Sequence, residues 1–272
     1  MSIYHISDQE FAQFQRFIFD AAGISLSSAK KALVSGRLAR RLQQCQVSNY
    51  GAYFKLLASG DAPGEMQMAV DLLTTNETYF FREPKHFDLL REVALGTRNG
   101  PQARPAMFRV WSAASSSGEE AYSIAMVLAD CLGDLPWEVV GSDISTRVLD
   151  SARGGHYPLE RTKHIPATYL KRFCLKGIDV QRGTLLIDRT LRQRVQFRQV
   201  NLNTSLPDLG NFDIIFLRNV MIYFNGDTKR QVVSRVLSLL KPGGHFLIGH
   251  SESLNDISDA VRVVTPSIYR KP

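Results

Sequence analysis

Apolar positions recur at helical spacing through the first quarter of the chain and in short, strand-length runs after it. Phe11, Phe14 and Ile18 fall on one helical face, and Ser7 with Glu10 makes a capping box ahead of them. Ser27 or Ser28 can cap a second helix running to about Gln44, Ser48 can open a third through Ala58, and Gly64 to Thr74 suits a fourth. Little in this stretch reads as strand, so residues 1–74 are expected to form a small all-α domain. Residues 75–106 read as an interdomain linker and helix.

From Met107 the pattern changes. MFRVW is a short apolar run followed by a helix start at Gly118 to Glu120, and VVGSD, Val139 to Asp143, precedes a helix from about Ser145 to Arg153. FDIIFLRN, Phe212 to Asn219, is followed by a helix from Asp227 to Leu240, and a Lys-Pro-Gly-Gly turn (Lys241 to Gly244) leads into HFLIG. Strand alternating with helix predicts a mostly parallel sheet covered on both faces over residues 107–272. Between His156 and Arg198 the alternation lapses. One helix (Pro166 to Phe173), then TLLI and VQF, with turn residues at Gly177 and Gly183, fit a small antiparallel β insertion at about 156–198.

Composition narrows the class. The chain has 272 residues, 44% hydrophobic and 22% charged, as in ordinary globular proteins. It shows no secretory leader pattern and no apolar run of bilayer-spanning length, so direct membrane insertion is not expected. Cys45, Cys131 and Cys174 are scattered without metal or disulfide spacing. A cytoplasmic, monomeric protein is expected, with no metal centre: of the six histidines, His245 and His250 are the closest pair in sequence. The net charge of +7 calls for an anionic partner. From Ser27 through Lys55 there are Lys30, Lys31, Arg37, Arg40, Arg41 and Lys55 and no acid, and Lys30, Arg37 and Arg41 share a helical stripe with Arg40 beside it. Such a run is commonly a solvated face; a one-signed face can also dock an acidic surface.

Candidate chemistry lies at the carboxyl ends of the expected strands, where nucleoside ligands bind in parallel sheets. In VWSAASSSGEEAYSIA the glycines of a G-x-G loop are replaced by Ser112, Ala113, Ala114 and Ser115 to Ser117, with Gly118 alone retained. Glu119 and Glu120 follow, where a dinucleotide phosphate would be repelled and a ligand carrying an ammonium and a sulfonium attracted; equally, acids there favour a helix start. Asp143 ends the second strand, where an acid can take both ribose hydroxyls or cap the next helix. The turn in LLKPGGHFLIG resembles that of Rossmann-like methyltransferases.

Five motifs in order, TTNETYFFRE (Thr74 to Glu83), SAASSSGEEAYSIAM (Ser112 to Met126), SDISTRVLDSARGGHY (Ser142 to Tyr157), FLRNVMIYF (Phe216 to Phe224) and LLKPGGHFLIGHSESL (Leu239 to Leu254), resemble the CheR family, which methylates glutamates on bacterial chemoreceptors. The resemblance covers nearly the whole chain. It implies a Rossmann-like domain dependent on S-adenosylmethionine, with S-adenosylhomocysteine as product, behind a helical substrate-recognition domain. Carried over by position, it implies that Asn76, Thr78 and Arg82 reach the cofactor from the interdomain segment, that Glu119 binds its ammonium and Asp143 its ribose, and that Asn201 and Leu202 flank the adenine. Arg218 and Asn219 would close the methionine end, with Tyr223 near the transferring methyl. Arg82 and Tyr223 are the candidate catalytic pair, and Arg37, Arg40 and Arg41 the candidate docking set for acidic methylation helices of a receptor, which would recruit the enzyme to membrane-bound receptor arrays.

The expected chemistry needs no general base, since a glutamate with pKa near ~4.3 is already a carboxylate at neutral pH. Positioning and exclusion of water remain. Alternatives are methylation of another protein or of a small molecule, or a cofactor-binding regulatory module. Nucleic acid is disfavoured: where base methyltransferases carry an Asp/Asn-Pro-Pro-aromatic motif, this chain has Arg218-Asn219-Val220-Met221.

Overall fold

The computed structural model describes residues 4–99 and 107–272; the first three residues of the helical region and residues 100–106 of the expected linker lie outside them. Helices α1 (Asp8–Ala22), α2 (Lys31–Gln44), α3 (Tyr50–Ser59) and α4 (Glu65–Leu73) build the N-terminal bundle. Its start is as expected: Ser7 Oγ accepts from the Glu10 amide, and Glu10 reaches back to the Ser7 amide at 2.8 Å. Ser27 makes no cap bond, because a 3-10 turn over Ser28–Lys30 precedes α2, and Asn49, not Ser48, caps α3. The apolar faces meet in a core of Phe14, Ile18, Val34, Leu38, Leu42, Tyr50 and Tyr53, all fully buried.

After α5 (Lys85–Asn99) come β1 (Phe108–Ala113), α6 (Glu119–Leu132), β2 (Trp137–Asp143) and α7 (Thr146–Gly154). Strands β3 (His156–Pro158), β4 (Cys174–Lys176) and β5 (Thr184–Ile187) follow, with α8 (Ala167–Phe173) between the first two and α9 (Arg189–Arg192) after the third. The chain then runs through β6 (Val195–Gln199), β7 (Phe212–Leu217), α10 (Gly226–Ser238), β8 (Leu240–Ile248), β9 (Arg262–Thr265) and β10 (Ile268–Arg270). The main sheet has the order β6-β2-β1-β7-β8-β10-β9, parallel from β6 to β8 and antiparallel at the last two strands. Chain order reverses between β1 and β7, which opens a crevice at their carboxyl ends.

Alternation along β1 divides the core into two layers. Phe108 and Val110 join α5 and α6 on one face, while Trp111 and Ala113 join α10 on the other. The second, antiparallel sheet, β3-β5-β4, is the inserted piece. Two expectations need correction. The VQF segment does not belong to the insertion: as β6 it pairs in parallel with β2, Phe197 beside Gly141, and forms the sheet's edge. The Lys241–Gly244 turn is absorbed into β8 as an irregularity in its pairing with β7, with Gly243 at φ 73°.

The helical bundle is stitched to the sheet domain. Asp71 of α4 accepts from the Thr146 amide (3.1 Å), the Thr146 hydroxyl (2.9 Å) and the Arg147 amide (3.3 Å), and so caps α7 across the seam. Ile24 forms a bridge with Phe224, and the Ser25 amide donates to Tyr223 O at 2.8 Å. Gly23 ends α1 at φ 72°, where an added Cβ would lie 2.7 Å from the Thr228 side chain and 2.8 Å from that of Asn203; both the conformation and the space favour glycine.

Candidate active site

A cleft of about 950 Å³, counting space open to solvent, lies over the β1/β7 switch point. Its walls are the extended segment Thr74–Tyr79 with Arg82, the loop after β1, the ends of β2, β6 and β7, and Ala22 and Ile24 from the helical bundle. The bundle therefore supplies part of the wall. Of the residues named from sequence, Asn76, Thr78, Arg82, Asp143, Asn201, Leu202, Arg218, Asn219 and Tyr223 all line this cleft.

The loop after β1 turns through left-handed residues that are not glycines before it reaches Gly118 at φ 95°. Ala114 and Ser116 sit at φ 63° and 50°, conformations that cost L-residues energy and that persist where surrounding contacts fix them. One such contact is the Ser116 amide donating to Asp143 Oδ2 at 2.9 Å, matched by the Ser145 amide to Oδ1 at 2.9 Å. The Ser116 hydroxyl donates to Asn76 O, also at 2.9 Å, and ties the loop to the interdomain segment. Burial pushes the Asp143 carboxyl above the usual carboxylate range, against the pull of those two amides.

The two adjacent glutamates divide. Glu119 does not line the cleft. Its side chain is fully buried behind the loop, where it accepts from the Ser117 hydroxyl at 2.7 Å and forms an ion pair with Arg161 that lacks hydrogen-bond alignment at Oε1. Burial raises its carboxyl too, despite Ser117 and Arg161. Glu120 does line the cleft, accepting from the Ser112 hydroxyl (2.7 Å) and Arg218 (2.8 Å). At the first turn of a helix, consecutive residues point about 100° apart, so one acid faces the ligand space and its neighbour the core. Of the pair it is Glu120, not the expected Glu119, that reaches the cleft.

Arg218 is nearly buried and already engaged, holding Glu120, Glu83 Oε2 at 3.0 Å and the carbonyl of Arg82. Arg82 differs. Its guanidinium donates only to Glu77 O at 3.4 Å and lies 5.5 Å from the Tyr79 ring centroid, with no carboxylate partner among the described residues. Asn201 donates to Ala21 O (2.7 Å) and accepts from the Asn203 amide (2.9 Å), so its side chain also fastens the bundle. Asn219, at φ 55°, donates its amide to Glu252 (2.8 Å), which also accepts from the Gly249 (2.7 Å) and Ile222 (3.3 Å) amides. Glu252 thus clamps the turn carrying Arg218 to Tyr223, a role its sequence position gave no signal for.

His86, not His245, is the partner of His250. Their rings lie 5.2 Å apart, with Glu83 3.4 Å from His86 Nδ1. His86 is fully buried; burial, with the Arg218 charge, pushes its pKa down to about 3.

On α2, two of the three expected docking arginines are engaged within the protein. Arg37 donates to Leu73 O (3.0 Å), Thr74 O (2.9 Å) and the Thr75 hydroxyl (3.2 Å), satisfying carbonyls left open at the end of α4. Arg41 pairs through two nitrogens with buried Glu65, which also accepts from Tyr53 at 2.7 Å. Arg40 alone of the three is exposed without a described partner.

The donor set fits a cofactor bearing positive charge: two acids, Asp143 and Glu120, share one cleft with a loop whose backbone comes close enough to contact a ligand. The comparisons agree. The family described as CheR methyltransferase, all-alpha domain, matches residues 9–74, and that described as CheR methyltransferase, SAM binding domain, matches residues 76–269. Chemotaxis protein methyltransferase 2 of Pseudomonas aeruginosa is 44% identical over 269 residues, covering 98% of this chain and 94% of that protein. Chemotaxis protein methyltransferase of Escherichia coli is 40% identical, covering 97% and 91%. Among solved structures, the N-methyltransferase NodS of Bradyrhizobium japonicum with S-adenosyl-l-homocysteine aligns with 74% of this chain and 95% of its own, at 14% identity and TM-score 0.39. No described helix is long and apolar enough to cross a membrane.

Proposed function

The chain belongs to the CheR methyltransferase family, an S-adenosylmethionine-dependent fold whose relatives are chemotaxis methyltransferases, and from that we propose that it methylates glutamate side chains on the cytoplasmic helices of chemoreceptors. The products are glutamate methyl esters and S-adenosylhomocysteine. The observation that carries the reading is Arg82: a guanidinium on the cleft wall, free of any described carboxylate, beside acids suited to a cationic cofactor.

When bound, S-adenosylmethionine supplies an electrophilic methyl on a sulfonium. Asp143 would hold its ribose, Glu120 rather than Glu119 would take its ammonium, and the segment Asn76–Thr78 with Leu202, Asn201 and Asn219 would enclose it. Arg82 orients the incoming carboxylate by its planar fork, and Tyr223 stands at the same wall. No proton needs to be removed from an ionised glutamate, so the chain's contribution is alignment and the exclusion of water.

An acidic substrate suits the surface as well. Residues 156–198 hold ten lysines and arginines against three acids, an excess of seven that equals that of the whole chain. Lys163, Lys171, Lys176, Arg182, Arg189 and Arg198 are exposed there without a carboxylate partner among the described residues, and Arg40 adds to them from α2. These cations, more than the α2 stripe, meet the receptor.

The test is transfer of tritiated methyl from the cofactor to receptor cytoplasmic fragments, followed by base treatment. Label released as methanol, and lost when the fragment's glutamates are changed to glutamine, is expected. Base-stable label, or none, refutes the ester.

A further inference from the structure

Arg82 sits between two residues in left-handed backbone, Phe81 at φ 54° and Glu83 at φ 59°. Neither is a glycine, and Glu83 also precedes Pro84, a position that ordinarily holds the chain extended. Two strained residues flanking one side chain cost on the order of 1–3 kcal/mol each and need anchors on both sides.

Both anchors are present. On one side the Phe81 amide donates to the Ser123 hydroxyl of α6 at 3.0 Å, and the Phe81 ring packs 5.0 Å from Phe87 and 5.8 Å from Tyr169. On the other, the Glu83 carboxylate holds two distant segments, Arg218 after β7 at 3.0 Å and the His250 amide after β8 at 3.2 Å, and lies 3.4 Å from His86, three residues on in α5. Burial alone would raise this carboxyl. Arg218 and the His250 amide outweigh it and hold the group below the usual range, so Glu83 is ionised in the fold. Arg218 completes the closure by donating to the Arg82 carbonyl.

We propose that Glu83 is a positioning residue: it fixes the strained Phe81–Glu83 tip so that the Arg82 guanidinium is presented to the cleft free of any carboxylate. The geometry gives Glu83 a second task that follows from the first. By holding Arg218 it keeps that buried guanidinium on Glu83 and Glu120, which leaves Arg82 as the cation on the cleft wall open to an incoming carboxylate. The inference rests on the assigned role of Arg82 in orienting the substrate.

A double-mutant cycle tests it, with turnover on a receptor fragment at saturating cofactor as the readout and cofactor affinity by calorimetry beside it. Glu83→Gln keeps side-chain length and an acceptor for the His250 amide but loses the charge that holds Arg218. It should cut turnover at least tenfold while shifting cofactor affinity less than threefold. Combined with Arg82→Ala, it should add less than a further twofold, because its effect passes through Arg82. Ser123→Ala, a small change at the other anchor, should show the same non-additivity and serves if Glu83→Gln folds poorly. If Arg82→Ala is slow and either anchor substitution multiplies with it in full, Glu83 acts on its own account and the inference is wrong, while the role of Arg82 stands. If Arg82→Ala turns over normally, that role fails and takes the inference with it.

Discussion

Helix α2 and the stretch 156–198 are both rich in lysine and arginine, and the fold uses them in opposite ways. In the bundle the cations are matched: residues 1–74 hold seven lysines and arginines against six acids, and Arg37 and Arg41 turn inward to Leu73, Thr74 and Glu65. Around the inserted sheet Arg161 and Arg172 pair with Glu119 and Asp130, but Lys163, Lys171, Lys176, Arg182, Arg189 and Arg198 are exposed without a described carboxylate partner. A run without acids in sequence says nothing about acids brought in by another helix. Glu65 lies 24 residues from Arg41, beyond any local pattern, yet it draws that guanidinium into an ion pair against the bundle.

The sharpest way to break the contrast is Arg41→Ala. It strips the partner from a buried carboxylate and should cost about 2–4 kcal/mol in denaturant unfolding, as the loss of one member of a buried pair does. The hydrogen bonds from Arg41, opposed by burial, hold the Glu65 carboxyl below its ordinary value of 4.5. Its contribution is therefore present above pH 4.5 and lost as pH falls through the depressed value, so the variant should have a shallower acid limb than the parent. Equal stability in the two proteins would return Arg41 to the surface.

A smaller effect is expected from reversing Lys171, Lys176 and Arg182 together to glutamate. Exposed pairs contribute roughly 0.2–1 kcal/mol each, so the Michaelis constant for receptor should rise about tenfold at low salt. The dependence on salt should flatten, since fewer attractive pairs remain to be screened, and unfolding should be unchanged. Kinetics like the parent's at both salts would move docking back to α2. The least effect belongs to Arg40→Ala, which removes the free member of the α2 set: a change under about twofold in the receptor constant, with no loss of stability. A larger rise than that of the triple reversal would invert the comparison.

What could be read from sequence was what depends on near neighbours. The Ser7–Glu10 box, the four helices of the bundle and the alternation that predicts a parallel sheet all appear as expected. So does the placing of Asp143 at a strand end, where chain direction and strand length fix the position. Helix phase at its first residue was not legible: Glu119 and Glu120 are interchangeable in pattern, and only the turn at Gly118, φ 95°, decides which faces the cleft. Nor was VQF legible as an edge strand, since pairing with β2 is a tertiary choice. The Glu83–His86–His250 cluster joins two near neighbours to a residue 167 positions beyond Glu83, and the Glu252 clamp links two loops that share no local signal.

The seam at Ile24 and Phe224 has a consequence for exchange between relatives. Because Ala22 and Ile24 stand in the cleft wall, and Ala21 O receives Asn201, the helical bundle travels with a piece of that wall. A chimaera that takes its bundle from one family member and its sheet from another brings together a cleft whose halves have no shared history. Changing the proposed substrate preference therefore calls for changes confined to the outer faces of the bundle and the inserted sheet, with α1's last turn and the residues just after it kept as they are.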